Sequence, residues 1–241
     1  MKKYEVILFD LDDTLIDNVE NIRYAFKVIT EKIGIPYKDE NFIKWYEFDR
    51  QYWIDRNDGK IIIPDEYKYP REKMIMYVRS LRYYLFFKDK ITLEESFKIN
   101  EIYINSLNEK IVAVSGAYEL LKYLHDKYKI VIATNGPSQA VYSKLSNINC
   151  LDFVDYIFSA DMTIKTASKP KKEFFEELMT YINYQDREKI LIVGDSLYSD
   201  VKGGMNSNID SCWFNKNKEE LVDNYHPTMV IEELLELKDI L

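Results

Sequence analysis

The sequence is poor in the residues that build disulfide frameworks and zinc sites. Its 241 residues include two cysteines and two histidines, which are Cys150, Cys212, His125 and His226. The cysteines lack the spacing of a metal-binding motif and the histidines lie far apart, so we expect neither a disulfide framework nor a metal site built on them. Such sparse use of cysteine is typical of a reducing compartment, and we expect a cytoplasmic protein.

Long apolar runs and excess positive charge are also missing. No stretch approaches the roughly 18 apolar residues that a membrane-spanning helix needs, and the apolar run after Lys2-Lys3 ends at Asp10, too early for a signal peptide. Lysine and arginine number 33 against 41 aspartates and glutamates, a net charge of −8. This balance argues against nucleic acid or a membrane as the main partner. An anionic small substrate would need local positive charge or a metal ion.

A short apolar run near the start, Val6 to Phe9, ends abruptly at a cluster of carboxylates. Its β-branched and aromatic residues without helical periodicity predict a buried parallel strand. Holding Asp10 and Asp12 close together costs Coulomb repulsion unless a cation or a proton separates them. Two interpretations follow from this stretch alone: a divalent-metal site with a reactive carboxylate, or an acidic turn that leads into a helix N-cap.

The rest of the chain divides into a helical block and a block in which strands and helices alternate. Residues 16–110 predict helices that are rich in aromatic residues, a pattern more typical of a bundle core than of a substrate pocket. From residue 111 onward, short apolar strands alternate with helices, which predicts a parallel sheet covered on both faces. We therefore predict an α/β fold: a Rossmann-like core from residues 1–15 and 111–241, with residues 16–110 inserted as an all-helical domain.

Local patterns add finer predictions. Thr92 and Glu95 predict a capping box at the start of a helix. The segment from Lys60 to Tyr69, which carries the apolar triplet Ile61-Ile62-Ile63 before Pro64, is predicted to be a loop, and Pro70 then opens a helix. The last segment, from Ile231 to Leu241, predicts a final helix.

Three of the predicted strands end in polar groups. The run Val6–Phe9 ends at Asp10-Leu11-Asp12, Ile130–Ala133 at Thr134-Asn135-Gly136, and Ile190–Val193 at Gly194-Asp195-Ser196. In open parallel sheets, ligands bind beyond the carboxyl ends of the strands, where the strand order reverses. Each strand end alone is a weak signal. Together with Lys169 and with Asp200, five residues past Asp195, they favour one shared site.

The residue types indicate the chemistry of that site. Asp10 and Asp195, with backbone oxygen and water, form a set of hard oxygen ligands that suits Mg²⁺. Thr134 and the amides around Asn135 offer neutral donors for phosphate oxygens, and Lys169 supplies a compact positive charge that favours ionised Asp10. This mixture fits a phosphoryl group better than a carbonyl substrate.

Four segments carry a pattern in chain order. They are Asp10-Leu11-Asp12-Asp13-Thr14, Thr134-Asn135, Lys169-Pro170 and Gly194-Asp195-Ser196-Leu197-Tyr198-Ser199-Asp200. These segments resemble the four motifs of the haloacid dehalogenase (HAD)-like hydrolases, and the helical block resembles the cap domain that this family inserts after its first motif. The resemblance spans the chain and implies a Mg²⁺-dependent phosphomonoesterase that forms an aspartyl-phosphate.

The resemblance also implies a role for each residue. Asp10 would be the nucleophile, and Asp12 would be the general acid and base that also offers its backbone carbonyl to Mg²⁺. The remaining roles are these: Thr134 and Lys169 hold the phosphate, Asn135 and Gly136 contribute backbone donors, Asp195 binds the metal, Ser196 hydrogen-bonds a metal-bound water, and Asp200 supports the metal shell or Lys169. Asp13 and Thr14 would shape the turn.

One segment departs from the pattern of the family. The stretch of residues 161–168 before the lysine is longer than expected, and it contains Lys165, a rival for the lysine role. Lys169 is favoured because Pro170 and the following helix, with Phe174 and Phe175, fit the family pattern after that lysine.

The expected substrate is a small phosphorylated metabolite, and the expected state is a monomer or a homodimer. The segments Gly194–Asn206 and Cys212–Asn215 are most similar to the branch of nucleoside 5′-monophosphate phosphatases, with a phosphoglycolate- or sugar-phosphate-type phosphatase as the alternative. Asp12 counts against a dehalogenase, and Asp13-Thr14 stands where phosphomutases of the family usually have Gly-Val. A non-catalytic binding module would be expected to lose a carboxylate or the lysine, and all are present.

Overall fold

The computed structural model describes residues 4–107, 109, 111–164 and 167–241. The chain divides into two units, one formed by Met1–Asn18 with Ile111–Leu241 and the other by Val19–Lys110. The predicted boundaries, after residue 15 and after residue 110, stay a prediction beside this division.

The helical unit contains five helices over its described residues. They are α1 (Asn18–Lys32), α2 (Asp39–Asn57), α3 (Asp65–Lys68), α4 (Arg71–Phe86) and α5 (Leu93–Leu107). The capping box before α5 is confirmed, because the Glu95 amide donates to Thr92 Oγ1 (3.1 Å) and the Thr92 amide donates to Glu95 Oε2 (2.7 Å). The prediction of a loop from Lys60 to Tyr69 is wrong at α3, where Asp65 and Glu66 occupy the first turn and complement the helix dipole.

Aromatic side chains form the core of this unit. Trp45 and Tyr83 are fully buried and stack with 5.1 Å between their ring centroids, and Phe26 stacks on Trp45 at 5.8 Å. Rings buried in this way contribute apolar area and edge or face contacts to the bundle. For these residues the core interpretation of the aromatic pattern is the right one.

The other unit is built on a six-stranded parallel sheet. Its strands are β1 (Val6–Phe9), β2 (Lys129–Thr134), β3 (Tyr156–Ser159), β4 (Ile190–Gly194), β5 (Asp210–Phe214) and β6 (Met229–Ile231). The order across the sheet is β3-β2-β1-β4-β5-β6, and all neighbours are parallel. The strand order reverses beside β1, as in doubly wound folds. The prediction of a Rossmann-like α/β fold is confirmed.

Helices cover both faces of this sheet. They are α6 (Ala117–Leu124), α7 (Ser138–Asn147), α8 (Lys172–Tyr181), α9 (Lys202–Ser207) and α10 (Leu237–Ile240). The two-residue period of a strand sends Ile7 and Phe9 to the face packed by α6 and α7, and Val6 and Leu8 to the face packed by α8. Among the described residues, no helix is both long enough and apolar enough to cross a bilayer.

The predicted final helix is wrong over its first half. Ile231 pairs with Phe214 as the end of β6 and is buried, and a capping box between Glu233 and Glu236 then opens a short 3₁₀ turn before α10. Burial against the sheet thus outweighs the helical pattern of the sequence at Ile231.

Candidate active site

The carboxyl ends of three neighbouring strands meet at the point where the strand order reverses. Phe9 of β1 lies opposite Ile132 of β2 on one side and opposite Val193 of β4 on the other. The residues that follow these positions therefore emerge at the same edge of the sheet. The structure brings together Asp10, Thr134 and Asp195, as their positions after three apolar strands predict.

A buried lysine joins two of the carboxylates at this edge. Lys169 Nζ donates to Asp10 Oδ1 at 2.7 Å and to Asp200 Oδ1 at 2.6 Å, and the lysine side chain is 1% exposed. The second oxygen of Asp200 accepts from the Ser196 amide at 3.1 Å. Both oxygens of Asp200 are therefore used within the protein, so the geometry favours its support of Lys169 over a place in a metal shell.

The site holds more negative than positive charge. Carboxylate oxygens of Asp10, Asp195 and Asp200 lie within 4.8 Å of one another, around the single ammonium of Lys169. Burial raises the pKa of Asp10 from 3.8 to about 7, although the ammonium of Lys169 opposes the shift. Burial and the neighbouring Asp10 and Asp200 raise the pKa of Asp195 well above its usual range. A hard divalent cation held by Asp10 and Asp195 would offset this excess, so the residues present fit Mg²⁺.

Three groups fix Asp195 at the end of β4. Its amide donates to Thr14 Oγ1 (3.1 Å), the Thr14 hydroxyl donates to Asp195 Oδ1 (3.3 Å), and Trp213 Nε1 donates to the Asp195 carbonyl (2.8 Å). Gly194 before it is required sterically, because a Cβ there would lie 2.1 Å from Asp200 Oδ2. The sequence interpretation gave Thr14 a role in the turn and missed its contact with Asp195.

The loop after β2 holds the lysine from its main chain. The Asn135 side chain donates through Nδ2 to the Lys169 carbonyl (3.0 Å) and accepts at Oδ1 from the Lys169 amide (2.8 Å). The hydroxyl of Thr134 accepts from the Gly136 amide at 2.9 Å, which leaves its proton for a ligand oxygen. For Asn135 the sequence predicted only a backbone contribution, and the side-chain contact was missed.

Asp12 lies apart from the Lys169 pair and has a lysine of its own. Asp12 Oδ1 forms an ion pair with Lys144 Nζ, and the Lys144 side chain on α7 is 4% exposed. The sequence interpretation did not single out Lys144. A signal was present, because Lys144 shares the buried face of α7 with Ala140, Val141 and Leu145, and a lysine is rarely buried without a partner.

Two further predicted residues have simple placements. The Ser196 hydroxyl accepts from the Ser199 amide at 3.0 Å and caps a π-helical turn, Leu197–Val201, and its contact with a metal-bound water stays a prediction. Asp13 adopts a positive φ of 66° and accepts from the Asn18 amide at 3.2 Å, as expected of a turn residue. Lys165, the rival of Lys169, lies outside the described residues.

Comparison with known proteins agrees with the geometry. The family described as haloacid dehalogenase-like hydrolase matches residues 4–208. The chain belongs to this family. HAD-hydrolase YfnB of Bacillus subtilis (strain 168) is 30% identical over 241 residues, which cover 100% of this chain and 97% of that protein.

Two more relatives carry names that state an activity. Pyrimidine 5′-nucleotidase YjjG of Escherichia coli (strain K12) is 26% identical, with 99% of this chain and 98% of that protein covered. Pyrimidine 5′-nucleotidase PynA of Streptococcus pneumoniae (strain ATCC BAA-255 / R6) is 26% identical, with 99% and 95% covered. A crystal structure of YfnB bound to magnesium superposes with a TM-score of 0.84 at 28% identity, covering 99% of both chains.

Proposed function

We propose that this hydrolase is a Mg²⁺-dependent phosphomonoesterase with Asp10 as its nucleophile. The observation that carries the proposal is the cluster of three carboxylates, those of Asp10, Asp195 and Asp200, around one buried ammonium. The excess negative charge of this cluster fits a divalent cation. Asp10 is the member of this group that follows the central strand β1, beside the hydroxyl of Thr134 at the end of β2. The crystal structure of the relative YfnB is of the magnesium-bound protein, which supports this choice of metal.

In the proposed first step, a carboxylate oxygen of Asp10 attacks phosphorus and forms an oxygen–phosphorus bond. The ester bond breaks, and its electron pair goes to the leaving oxygen, which takes a proton from Asp12. Lys169, the Thr134 hydroxyl and the amides around Gly136 would hold the phosphoryl oxygens. When bound, Mg²⁺ supplies electrostatic stabilisation of the negative charge on these oxygens.

In the second step, water attacks phosphorus while Asp12 takes its proton, and the carboxylate of Asp10 leaves. Phosphate is released, and the proton balance of the two steps closes on Asp12, which gives one proton and takes one back. Asp12 stands outside the Lys169 cluster during this exchange, since its side chain is 28% exposed and pairs with Lys144.

For the substrate we propose a nucleoside 5′-monophosphate with a pyrimidine base. Support comes from the segments Gly194–Asn206 and Cys212–Asn215, and from the similarity to YjjG and PynA, which are pyrimidine 5′-nucleotidases. The buried rings of Trp45 and Tyr83 do not contribute to this argument, because they belong to the core of the helical unit.

The reaction is tested with p-nitrophenyl phosphate, with Mg²⁺ and with EDTA, on the wild type and on Asp10→Asn. We expect turnover only in the wild type with Mg²⁺. The matched control is Asp126→Asn, because the Asp126 side chain is 83% exposed in the same unit and its loss should leave the rate unchanged. Full activity of Asp10→Asn would overturn the mechanism.

The substrate is tested by phosphate release from a panel at equal concentration. The panel holds pyrimidine and purine nucleoside 5′-monophosphates, phosphoglycolate and sugar phosphates. We expect the highest kcat/KM with a pyrimidine nucleotide. A higher value with phosphoglycolate or a sugar phosphate would replace the nucleotide proposal and leave the reaction class in place.

A further inference from the structure

Lys144 is a buried charge that the proposed reaction does not yet use. It lies on α7, a helix whose other buried side chains are Ala140, Val141 and Leu145. A methionine or leucine would fill such a position without the free-energy cost of burying an ammonium. The ammonium pairs with Asp12 Oδ1, 132 positions away in sequence. The burial of this lysine therefore needs an explanation, and its partner Asp12 is the place to look for one.

The second oxygen of Asp12 shows where this contact aims the side chain. A Cβ placed on Gly136 would lie 3.3 Å from Asp12 Oδ2 and 3.3 Å from Thr134 Oγ1. The two oxygens therefore border the same space beside Gly136, on the loop that would hold the phosphate. Within the described residues, Oδ2 has no hydrogen-bond partner, while Oδ1 is held by Lys144.

The two carboxylates that follow β1 thus pair with two different lysines. Lys169 holds Asp10, and Lys144 holds Asp12, although only one residue separates the two aspartates. Without Lys144, Asp12 Oδ1 would lose the one partner that the described residues give it. The pairing keeps one oxygen of Asp12 anchored and the other directed at the phosphate loop.

We propose that Lys144 is a positioning residue that holds Asp12 in the orientation needed for proton transfer to the leaving oxygen. The proposal rests on the proposed function, in which Asp12 Oδ2 gives its proton to the oxygen released from phosphorus. In this proposal Lys144 keeps its own protons and charge throughout and acts only through its contact with Asp12. A displacement of an acid by about 1 Å can cost ~10²-fold in rate, so the anchoring of Asp12 is worth a measurable factor.

The test compares two esters of similar shape that differ in their need for an acid. Phenyl phosphate releases a basic phenolate that requires a proton, and p-nitrophenyl phosphate releases an anion that leaves without one. The measured quantity is kcat/KM, because it covers the steps up to loss of the alcohol. The variants are Asp12→Asn, Lys144→Met, Lys144→Arg, the double variant Asp12→Asn/Lys144→Met, and Lys189→Met as a control.

We expect Lys144→Met to lose about 10-fold or more with phenyl phosphate and less than ~3-fold with p-nitrophenyl phosphate, as a smaller version of the loss in Asp12→Asn. Lys144→Arg should recover part of the loss because it keeps the charge. The double variant should lose no more than Asp12→Asn alone, since residues that act through one another are not additive. Lys189 forms its ion pair with Glu5, with 2.6 Å between Nζ and Oε1, and not with Asp12. Its replacement by methionine should leave the ratio of the two esters unchanged.

An equal loss with both esters in Lys144→Met, or a full additional loss in the double variant, would overturn the proposal and indicate a purely structural lysine. If Lys144→Met does not fold, Lys144→Gln takes its place with the same expected pattern. These results are separable from a failure of the proposed function. If the wild type hydrolyses neither ester, or Asp12→Asn shows no dependence on the leaving group, the assignment of Asp12 fails first, and the role of Lys144 fails with it.

Discussion

The two units of the molecule bury charge in opposite ways. In the helical unit, the Arg82 guanidinium donates to Asp49 at 2.6 Å and to the Tyr83 hydroxyl at 2.6 Å, and the rings of Trp45 and Trp53 lie 5.8 and 5.3 Å from it. One cation meets one anion inside an aromatic core. In the unit built on the parallel sheet, the ammonium of Lys169 faces two carboxylates, with Asp195 close by.

The difference predicts a structural role for the pair of Arg82 and Asp49 and a ligand-binding role for the cluster around Lys169. The pair of Arg82 and Asp49 is balanced, so its loss affects folding and leaves no site for a further ion. The cluster around Lys169 carries surplus negative charge at the carboxyl ends of the strands. This charge lowers the stability of the fold until an ion of opposite charge binds. The uncompensated cluster is therefore the one that indicates a ligand.

The largest expected effect is the loss of activity in Lys169→Met. Without the ammonium, both the phosphoryl oxygens and Asp10 lose their positive partner, and kcat/KM for p-nitrophenyl phosphate should fall by about 10³-fold or more. Lys169→Arg should not restore it, because a planar guanidinium cannot replace a compact ammonium held at 2.6 and 2.7 Å in a closed space. Activity of Lys169→Met within tenfold of the wild type would remove the lysine from the mechanism.

The second effect concerns stability, in Arg82→Met. Removal of one partner leaves Asp49 without its cation, and we expect a loss of about 3–5 kcal/mol in the unfolding free energy, measured by urea denaturation. The rate per folded molecule should change little. The control is Arg82→Met/Asp49→Leu, which removes both charges and should recover much of the loss. A strong loss of kcat with unchanged stability would show that the pair is not structural.

The third effect is stabilisation by Mg²⁺, which should be confined to the unbalanced cluster. A ligand at 100 times its Kd adds about 2.7 kcal/mol to the stability of the state that binds it, so Tm should rise with Mg²⁺ in the wild type. Asp195→Asn should abolish the rise, and Arg82→Met should keep it at a lower Tm. An equal rise in Asp195→Asn would place the ion elsewhere.

The smallest effect is a dependence of stability on pH in EDTA. The pKa of Asp10 is about 7 in the folded protein and 3.8 ordinarily, so between these values the folded chain keeps a proton that the unfolded chain has lost. Stability should therefore fall as the pH rises through this window and level off above it. Asp10→Asn should flatten the decline, as should Mg²⁺, whereas the exposed carboxylate variant Asp126→Asn should keep it. A decline of the same size in Asp10→Asn would assign it to other groups.

The sequence was sufficient for the sheet and for the convergence of its strand ends. Short apolar runs such as Val6–Phe9 are local signals, and once the strands are parallel and adjacent, Asp10, Thr134 and Asp195 must emerge together. The motif pattern then named the lysine. These predictions needed no knowledge of distances.

Contacts between distant segments could not be predicted in this way. The pairing of Asp12 with Lys144 depends on the register of β1 against β2 and on which face of α7 meets the sheet. The link between Thr14 and Asp195 depends on a turn and a strand end 181 positions apart. The prediction that Ile231 begins a helix failed for a related reason. The pairing of Ile231 with β5 makes it a strand residue, and the sequence of the segment alone does not show that pairing.

The Asn135 side chain has a consequence for how this protein can vary. Its carboxamide imitates a peptide group and binds both the amide and the carbonyl of Lys169, as one rung of a ladder would. These two contacts fix the main chain of Lys169 to the end of a different strand. The position of its ammonium therefore depends little on the length of the chain that leads to it. Residues 161–168, the stretch that is longer than the family pattern, come immediately before Lys169. We therefore expect small changes in the length of this stretch to leave the Lys169 ammonium in place, as long as the two contacts with Asn135 are kept.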